Sequence, residues 1–321
     1  MTGLDVVRVR VPFRAPFVTA VATWTAREAW IAVRRMGDGR LGVGESSLED
    51  GGLDAALDAI SLDLAAPPTE RPWVGVNATI GAVDTDAAVD VALDAVATGF
   101  RTLKLKTAPG ETVAALAERI GAVRKVVGDR AALRLDVNGS WDLDGAIERL
   151  RALEGFELQY VEQPLPSRSL ADVVRLRRDT GVAVAADEAV DSMASARAIV
   201  DAGAADVLVV KPGRVGGPAA ASAIASMAAA RGVPVVISSL FETGIGLAAA
   251  IACAATLPDV AGWPATERDH GLATVDLLVD DLIVEPLIVE RGRIRAPGGE
   301  GTGGLGVRLD EAALERFAVS M

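Results

Sequence analysis

Apolar and polar residues follow two different patterns along this chain. Up to residue 72 they alternate in the segments VVRVRVPF, WIAVRRM and LGVGES, which is typical of antiparallel strands with one buried face. A turn at Gly37-Asp38-Gly39 separates the last two segments and predicts a hairpin. The next segment, LDAALDAISLDLA, has the spacing of a helix. We therefore predict a small α+β unit over residues 1–72.

From Trp73 onward, short apolar runs alternate with helical segments. The clearest helix lies in ETVAALAERIGAVRKVVG, where Leu116, Ile120 and Val123 share one face and Gly128 ends the pattern. Eight runs read as buried strands: WVGVNAT, RTLKLKT, ALRLDVN, LQYVEQP, VAVAADE, DVLVVKP, VPVVISS and VAGWPAT. This alternation predicts a closed parallel TIM-type barrel over residues 73–275. An open doubly wound sheet is the alternative, but its strand ends would converge less evenly.

Strand-and-turn patterning returns after Asp276, in the segment LLVDDLIVEPLIVERGRIRAPGG. We expect residues 276–321 to rejoin the N-terminal unit, so that both ends of the chain form one capping domain over the barrel mouth. The predicted fold class is therefore α/β, a barrel beneath an α+β cap.

Charged residues close four successive predicted strands. Asp136 in RLDVN, Glu162 in YVEQP, Asp187 in VAADE and Lys211 in VVKPG follow one another at intervals of 26, 25 and 24 residues. One strand, one helix and their connections occupy about this length. The spacing predicts that the four side chains lie at the same end of neighbouring strands. In a barrel of this type, the carboxyl ends of the strands carry the active site.

Three carboxylates at one rim would repel one another unless a cation lay between them. A single acidic residue at a strand end commonly caps the next helix, but three in phase favour a metal site. An oxygen-only ligand set suits a hard divalent ion. We therefore predict that Asp136, Glu162 and Asp187 bind Mg²⁺, with Mn²⁺ as the other candidate.

Three polar neighbours of these carboxylates also enter the prediction. Asn138 and Gln163 flank two of the ligands, and we expect them to orient the ligands by hydrogen bonds. Glu188 adjoins Asp187, and we expect its side chain to point outward.

Two lysines in RTLKLKT, Lys104 and Lys106, lie on the same face of the second predicted strand because side chains alternate along a strand. Solvated lysines on an exposed face are the alternative. Lys211, about halfway round the ring, favours a functional role instead. Two ammonium groups on opposite sides of a bound substrate could each reach one face of its α-carbon. A buried lysine near other cations has a lowered pKa and can act as a base.

These residues resemble the motifs of the enolase superfamily, in its muconate-lactonising-enzyme subgroup. The resembling segments are KLK, DVNGSWD, EQP, DE and KPGRVGG, and the match runs from about Lys104 to Gly246. The resemblance implies a modified (β/α)₇β barrel under an α+β cap, with Mg²⁺ on the three carboxylates. It also implies acid and base roles for Lys106 and Lys211, with Lys104 as an electrostatic helper at the substrate.

The seventh predicted strand ends in SSLFETGIG. Ser238, Ser239 and Glu242 resemble the Ser-Ser and Glu of the subgroup's substrate region. The turn over residues 244–246 could offer backbone N–H groups to an anion. A plain strand-to-helix loop is the alternative interpretation.

The resemblance leaves the reaction open, because the same catalytic residues serve several reactions in this subgroup. The candidates are the water elimination of o-succinylbenzoate synthases in menaquinone biosynthesis, N-acylamino acid racemisation, dipeptide epimerisation and muconate cycloisomerisation. Dipeptide epimerases carry Asp-x-Asp after strand eight, where this chain has Glu267-Arg268-Asp269. With the lysine pair and the short cap, this difference leads us to expect a lyase of the o-succinylbenzoate synthase type.

Composition narrows the class of partner. A net charge of −12 and an aromatic content of 4% disfavour nucleic-acid binding. The only cysteine, Cys253, cannot form an intrachain disulfide, which fits a reducing cytoplasm. No apolar run nears the length of about 20 residues that a membrane helix needs.

His270 is the only histidine, which excludes a zinc site built on histidines, and we expect it in a loop. The predicted partner is a small carboxylate substrate, and homo-oligomer formation is left open.

Overall fold

The computed structural model describes residues 3–18, 23–37, 41–47, 52–65, 71–296 and 305–320. The strands are β1 Gly3–Val18, β2 Thr23–Arg35, β3 Leu41–Ser47, β4 Trp73–Gly75, β5 Ala78–Ile80, β6 Thr102–Lys106, β7 Ala132–Asp136, β8 Leu158–Glu162, β9 Val184–Ala186, β10 Val207–Val210, β11 Val235–Ile237, β12 Val289–Glu290 and β13 Arg293–Arg295. The α-helices are α1 Gly52–Ala65, α2 Thr85–Ala97, α3 Val113–Val127, α4 Leu143–Leu153, α5 Leu170–Thr180, α6 Met193–Asp201, α7 Pro212–Val215, α8 Pro218–Ala229, α9 Gly244–Ala255 and α10 Glu311–Phe317.

The N-terminal strands β1, β2 and β3 form an antiparallel sheet, and α1 packs on β3. Alternating apolar residues give this sheet its buried face, which includes Val9, Val11, Ile31 and Val33. The predicted antiparallel strands and helix are thus present. The central residue of the predicted hairpin turn, Asp38, lies outside the described residues.

Strands β5 to β11 form a parallel sheet in which sequence neighbours are also spatial neighbours. The helices α2 to α8 connect these strands, and α9 follows the last of them. The largest apolar core lies between the strands and the helices. The predicted helix after β6 runs over Val113–Val127, and Gly128 ends it with a φ of 54°. A left-handed C-terminal residue of this kind favours glycine.

The barrel closes through a short segment that is not the predicted eighth strand. Asn77 N–H, just before β5, donates to His270 O at 2.9 Å, and Gly271 N–H donates to Ile237 O at 2.9 Å, so this segment joins both edges of the sheet. The predicted strand VAGWPAT instead turns at Gly262, whose φ is 81°, and enters a 3₁₀ turn at Ala265–Glu267. The closing segment carries too few apolar residues to be recognised as a strand in the sequence.

The predicted strand WVGVNAT also divides into two. Its first part, β4, pairs antiparallel with β13, whereas its second part, β5, belongs to the barrel. Part of the C-terminal segment therefore lies beside the barrel rather than with the N-terminal strands.

Other residues of the C-terminal segment do pack on the N-terminal sheet. Ala318 pairs with Val9, and Leu278 pairs with Phe13. Leu282, Leu309 and Leu314 are among those that extend the core of β1 and β2. The boundaries at residues 72 and 275 stay a prediction. Within the described ranges, every helix is too short or too polar to cross a membrane.

Gly44 gives a test of the packing between β3 and α1. A Cβ at this position would lie 2.0 Å from the carbonyl oxygen of Ala56, so an added methyl group forces the strand and helix apart. We expect Gly44→Ala to lower the free energy of unfolding by about 1–3 kcal/mol, measured by chemical denaturation. Gly81→Ala is the control, because nothing lies within 4 Å of its Cβ. Equal unfolding free energies for the two variants would contradict the packing described here.

Candidate active site

Five charged side chains lie at the carboxyl ends of five neighbouring strands. Lys106, Asp136 and Glu162 are the last residues of β6, β7 and β8, and they stand side by side in the strand register. Asp187 and Lys211 each follow directly after β9 and β10. The order around the rim is therefore lysine, three carboxylates and lysine. This common layer follows from parallel strands whose ends are in register.

Lysine ammonium groups pair with all three carboxylates. Lys104 Nζ lies 3.0 Å from both Asp136 Oδ2 and Glu162 Oε1. Lys106 Nζ lies 2.9 Å from Asp136 Oδ2, and Lys211 Nζ lies 2.6 Å from Asp187 Oδ2. The three carboxylate residues are almost completely buried. Since a buried charge is costly unless paired, these ion pairs are required for the cluster to remain ionised.

The carboxylates differ in how far the lysines offset their burial. Burial raises the pKa of Glu162 to about 8, because Lys104 offsets the loss of water only in part and Asp136 adds repulsion. Asp136 is equally buried, but Lys104 and Lys106 together hold its pKa well below the usual range. At Asp187 burial also acts to raise the pKa, but Lys211 and Arg214 outweigh it and hold the pKa below its ordinary value. Glu162 is therefore the carboxylate that binds a proton most readily.

Lys104 differs from the expectation that a buried lysine here has a lowered pKa. Burial does favour its neutral form, but Asp136 and Glu162 outweigh burial and raise its pKa well above the ordinary value. Lys104 is therefore a permanent cation between two carboxylates and is unsuited to act as a base.

The donor chemistry of the cluster fits a hard divalent cation. Asp136, Glu162 and Asp187 supply only oxygen atoms, and their combined charge is what such an ion requires. Within the described ranges, however, no three acidic, histidine or cysteine side chains are grouped closely enough to hold a metal ion. The lysines supply the positive charge instead, so metal binding would have to exchange contacts with them. The metal site stays a prediction.

Asn138 links the cluster to a fourth carboxylate. Its Oδ1 accepts from Lys106 Nζ at 3.0 Å, its backbone N–H donates to Asp136 Oδ1 at 3.1 Å, and its Nδ2 donates to Glu188 Oε1 at 2.9 Å. The expectation that Glu188 points outward is wrong. Strand β9 ends at Ala186, so strand alternation no longer sets the direction of the Glu188 side chain.

Gln163 acts on the backbone rather than on a carboxylate. Its Oε1 accepts from the N–H groups of Asp187 and Ala189 at 3.0 and 3.2 Å, and its Nε2 donates to Leu165 O at 2.8 Å. It thus fixes the turn that presents Asp187. Gln163 and Asn138 both have positive φ values, 40° and 49°, which are uncommon for residues other than glycine.

The residues after β11 form a compact loop. Ser239 Oγ donates to Glu242 Oε2 at 2.6 Å and accepts from Phe241 N–H at 2.8 Å. Ser238 lies against the barrel closure, since a Cβ at Gly271 would come within 2.6 Å of its Oγ. The loop thus brings Ser239 and Glu242 together, and Ser238, Ser239 and Glu242 are all buried.

The backbone N–H groups that follow are already bonded to protein carboxylates, contrary to the expectation of an external anion. Gly244 N–H donates to Asp281 Oδ1 at 2.7 Å, and Gly246 N–H donates to Glu45 Oε2 at 3.1 Å. The sequence could not indicate this, because Glu45 is 201 residues from Gly246.

The expectation that His270 lies in a loop is wrong, because the residue belongs to the segment that closes the barrel. It is buried, and its Nδ1 accepts from Ile237 N–H at 3.0 Å. Burial, together with Arg134 and Arg268, lowers its pKa to about 3. The imidazole is therefore neutral at physiological pH and serves the backbone of β11.

Comparison with known proteins identifies the class that this fold and rim define. Residues 87–313 match the sequence model of the family described as Enolase C-terminal domain-like, and the chain belongs to that family. The muconate lactonizing enzyme from Pseudomonas fluorescens has a similar structure, with a TM-score of 0.86, 23% identity and coverage of 99% of this chain and 98% of that one. This likeness confirms the predicted fold class.

Two similar sequences are o-succinylbenzoate synthases. The protein from Thermobifida fusca is 39% identical over 221 residues, which cover 68% of this chain and 65% of that protein. The protein from Mycobacterium ulcerans is 38% identical over 233 residues, which cover 71% of this chain and 66% of that protein. The match therefore spans slightly less than two thirds of each relative. The predicted resemblance to the enolase superfamily and to this group is confirmed.

The charge cluster predicts a metal response that depends on pH. We expect Mg²⁺ at about 100 times its dissociation constant to stabilise the protein by about 2.7 kcal/mol, measured as a shift in thermal unfolding. This shift should grow between pH 6 and 8, because Glu162, with its pKa of about 8, must lose a proton to bind the metal.

Asp136→Asn should remove most of this Mg²⁺ response, whereas Asp129→Asn, at an exposed position in the 3₁₀ turn that follows α3, should retain it. A response of equal size in both variants would show that Mg²⁺ binds elsewhere.

Proposed function

We propose that this protein is a Mg²⁺-dependent lyase of the o-succinylbenzoate synthase type, which removes a proton next to a carboxylate and eliminates water. One observation carries the proposal: Lys106 and Lys211 stand at the two ends of an arc whose middle positions are three buried carboxylates. The names of the two similar sequences support the same reaction.

Asp136, Glu162 and Asp187 would hold the metal ion, which would supply a Lewis acid for the substrate carboxylate. Lys104 remains cationic beside Asp136 and Glu162 and limits the repulsion among the carboxylates. Negative charge that develops on the substrate would therefore enter a region with fixed positive charge. Stabilisation of this kind is commonly the largest contribution to catalysis.

Lys106 is the proposed base. As a neutral amine it has two N–H groups and one lone pair, and Asp136 and Asn138 provide two acceptors for the N–H groups. The lone pair is then left to take the α-proton. The electron pair of the broken C–H bond forms the new C=C bond, the C–O bond breaks, and the Lys106 ammonium returns its proton to the departing hydroxyl as water.

Lys211 faces the substrate from the other end of the arc. Its Nζ donates to Asp187 Oδ2 at 2.6 Å. The other oxygen of that carboxylate, Oδ1, lies 3.4 Å from Arg214 Nη1. The ammonium group is thus held at a fixed position, from which it would stabilise charge on the substrate. A cation over an aromatic or conjugated ring would add to this stabilisation.

Racemisation of an N-acylamino acid is the second candidate, since two lysines on opposite sides could each serve one enantiomer. The string Glu267-Arg268-Asp269 carries no argument for or against dipeptide epimerisation. It precedes the segment at His270 and Gly271 that closes the barrel, and so does not follow an eighth strand as expected. Asp269 accepts from Thr102 Oγ1 at 2.7 Å, and Thr102 begins β6 at the end of the barrel opposite to Lys106. Muconate cycloisomerisation has no observation in its favour.

We expect the purified protein with Mg²⁺ to dehydrate the cyclohexadiene precursor of o-succinylbenzoate, followed by NMR. Lys106→Ala should lower kcat by about 10²–10⁴-fold, because it removes the group that transfers the proton. Lys125→Ala is the matched control, since Lys125 is exposed on α3. Racemisation of N-succinyl amino acids without dehydration would reject the lyase in favour of the racemase. The absence of α-proton exchange with D₂O for any tested carboxylate would reject both.

A further inference from the structure

Glu45 places a cap carboxylate at the start of helix α9. The residue lies on β3, and its side chain is fully buried. Its Oε2 accepts from Thr243 Oγ1 at 2.6 Å, from Thr243 N–H at 3.0 Å and from Gly246 N–H at 3.1 Å. The N-terminus of a helix favours a negative charge, and here the cap supplies it. These bonds tie β3 to the end of the loop after β11.

Arg27, on the neighbouring strand β2, holds the other end of that loop. Its Nε lies 3.3 Å from Glu45 Oε1, and its Nη1 donates to Leu240 O at 3.1 Å. Arg27 and Glu45 thus contact both ends of the segment 240–243. Because the two side chains also pair with each other, a substitution of either one would alter the contacts at both ends of this segment.

The loop between these contacts has little room to move. Thr243 is fully buried, and a Cβ at Gly246 would lie 2.7 Å from the Glu242 side chain and 3.0 Å from Glu45 Oε2. Glu242 also accepts from Leu240 N–H at 2.7 Å. The position of Glu242 is therefore set jointly by its own loop and by the Glu45 carboxylate behind it.

The loop backbone is also strained. Phe241 has a φ of 64°, in the left-handed region that a bulky residue seldom adopts. Its ring packs edge-on against Phe13 of β1, with centroids 6.1 Å apart. Such a conformation persists only where the surroundings impose it. Here the surroundings are the hydrogen bond from Phe241 N–H to Ser239 Oγ and the cap contacts on either side.

Burial makes the Glu45 carboxylate costly. It raises the pKa of Glu45 to about 7, although Arg27 opposes this shift, and the nearby Glu242 adds to it. Leucine or methionine would fill a purely structural position without that cost. The carboxylate is thus explained by the specific N–H and hydroxyl groups that it holds.

We propose that Glu45, with Arg27, is a positioning residue that sets the loop carrying Ser239 and Glu242 for the substrate. This proposal rests on the proposed function, because it assigns the loop to substrate binding. Glu45 acts through Thr243 and Gly246 rather than by touching the substrate. The cap thereby controls how tightly the substrate is held while the lysines on the barrel rim keep their positions.

The test is Glu45→Gln, which keeps the shape but removes the charge. We expect KM for the cyclohexadiene substrate to rise about 10–100-fold while kcat changes less than about threefold, since charge-assisted hydrogen bonds are lost outside the reacting groups. The shift in unfolding temperature with Mg²⁺ should equal that of the unmodified protein. Glu28→Gln is the matched control, because Glu28 lies beside Arg27 on β2 and pairs instead with Arg8 and Arg10. It should leave KM unchanged.

Hydrogen exchange gives a readout that does not depend on the reaction. The amides of Leu240, Phe241 and Thr243 should exchange at least tenfold faster in Glu45→Gln, while the amides of β7 and β8 keep their protection. Unchanged exchange in the loop, or an unchanged KM, would overturn the proposal. Faster exchange in a protein that dehydrates no substrate would reject the proposed function and, with it, the assignment of the loop to substrate binding.

A second variant covers the case in which Glu45→Gln does not fold. Thr243→Val removes the 2.6 Å bond to Glu45 and preserves the side-chain shape. It should raise KM and loop exchange in the same direction by a smaller factor. A fall in kcat at constant KM in this variant would contradict a positioning role.

Discussion

The pairing of buried carboxylates with buried lysines is the constraint on which the rest of the site depends. Opposite unit charges about 3 Å apart attract by about 5 kcal/mol at an effective dielectric constant near 20. Lys104 contacts Asp136 and Glu162 at that distance, so one ammonium group is shared by two carboxylates. The parallel strands make this possible, because each strand can bring only one residue to a given height at the rim. The three carboxylates are also buried from water, which strengthens each of these interactions.

The sequence predicts this layer well because its period is that of the fold. Each strand and helix occupies nearly the same number of residues, so a charged residue that closes each apolar run must recur at the same height. Asp136 stands beside Glu162 in the strand register, as their interval of 26 residues indicates, and Lys106 stands on its other side. The antiparallel sheet can be predicted equally well, because apolar and polar residues alternate along its strands. Both predictions rest on local patterns of residues that correspond directly to the secondary structure of the folded protein.

Contacts between distant segments could not be predicted in the same way. Glu45 reaches Thr243 across 198 residues, and neither residue carries a local signal of the other. His270 belongs to a closing segment that is held by backbone hydrogen bonds and has no apolar run. Glu188 follows the last residue of a three-residue strand, where alternation no longer determines direction. Each error arises where hydrogen bonds between distant residues, rather than a repeated pattern, decide the conformation.

The rim carboxylates and the Glu45 carboxylate are compensated by different parts of the chain. This separation bears on how the proposed substrate specificity could change. The rim carboxylates pair with Lys104, Lys106 and Lys211, which all belong to the barrel. Glu45 bonds instead to the first residues of α9 and to Arg27 of the neighbouring cap strand. A substitution in the cap can therefore shift the loop after β11 while the ion pairs of Asp136 and Asp187 persist. On the proposed function, such an arrangement would let one set of proton-transfer groups serve different substrates, because the groups proposed to hold the substrate are set independently.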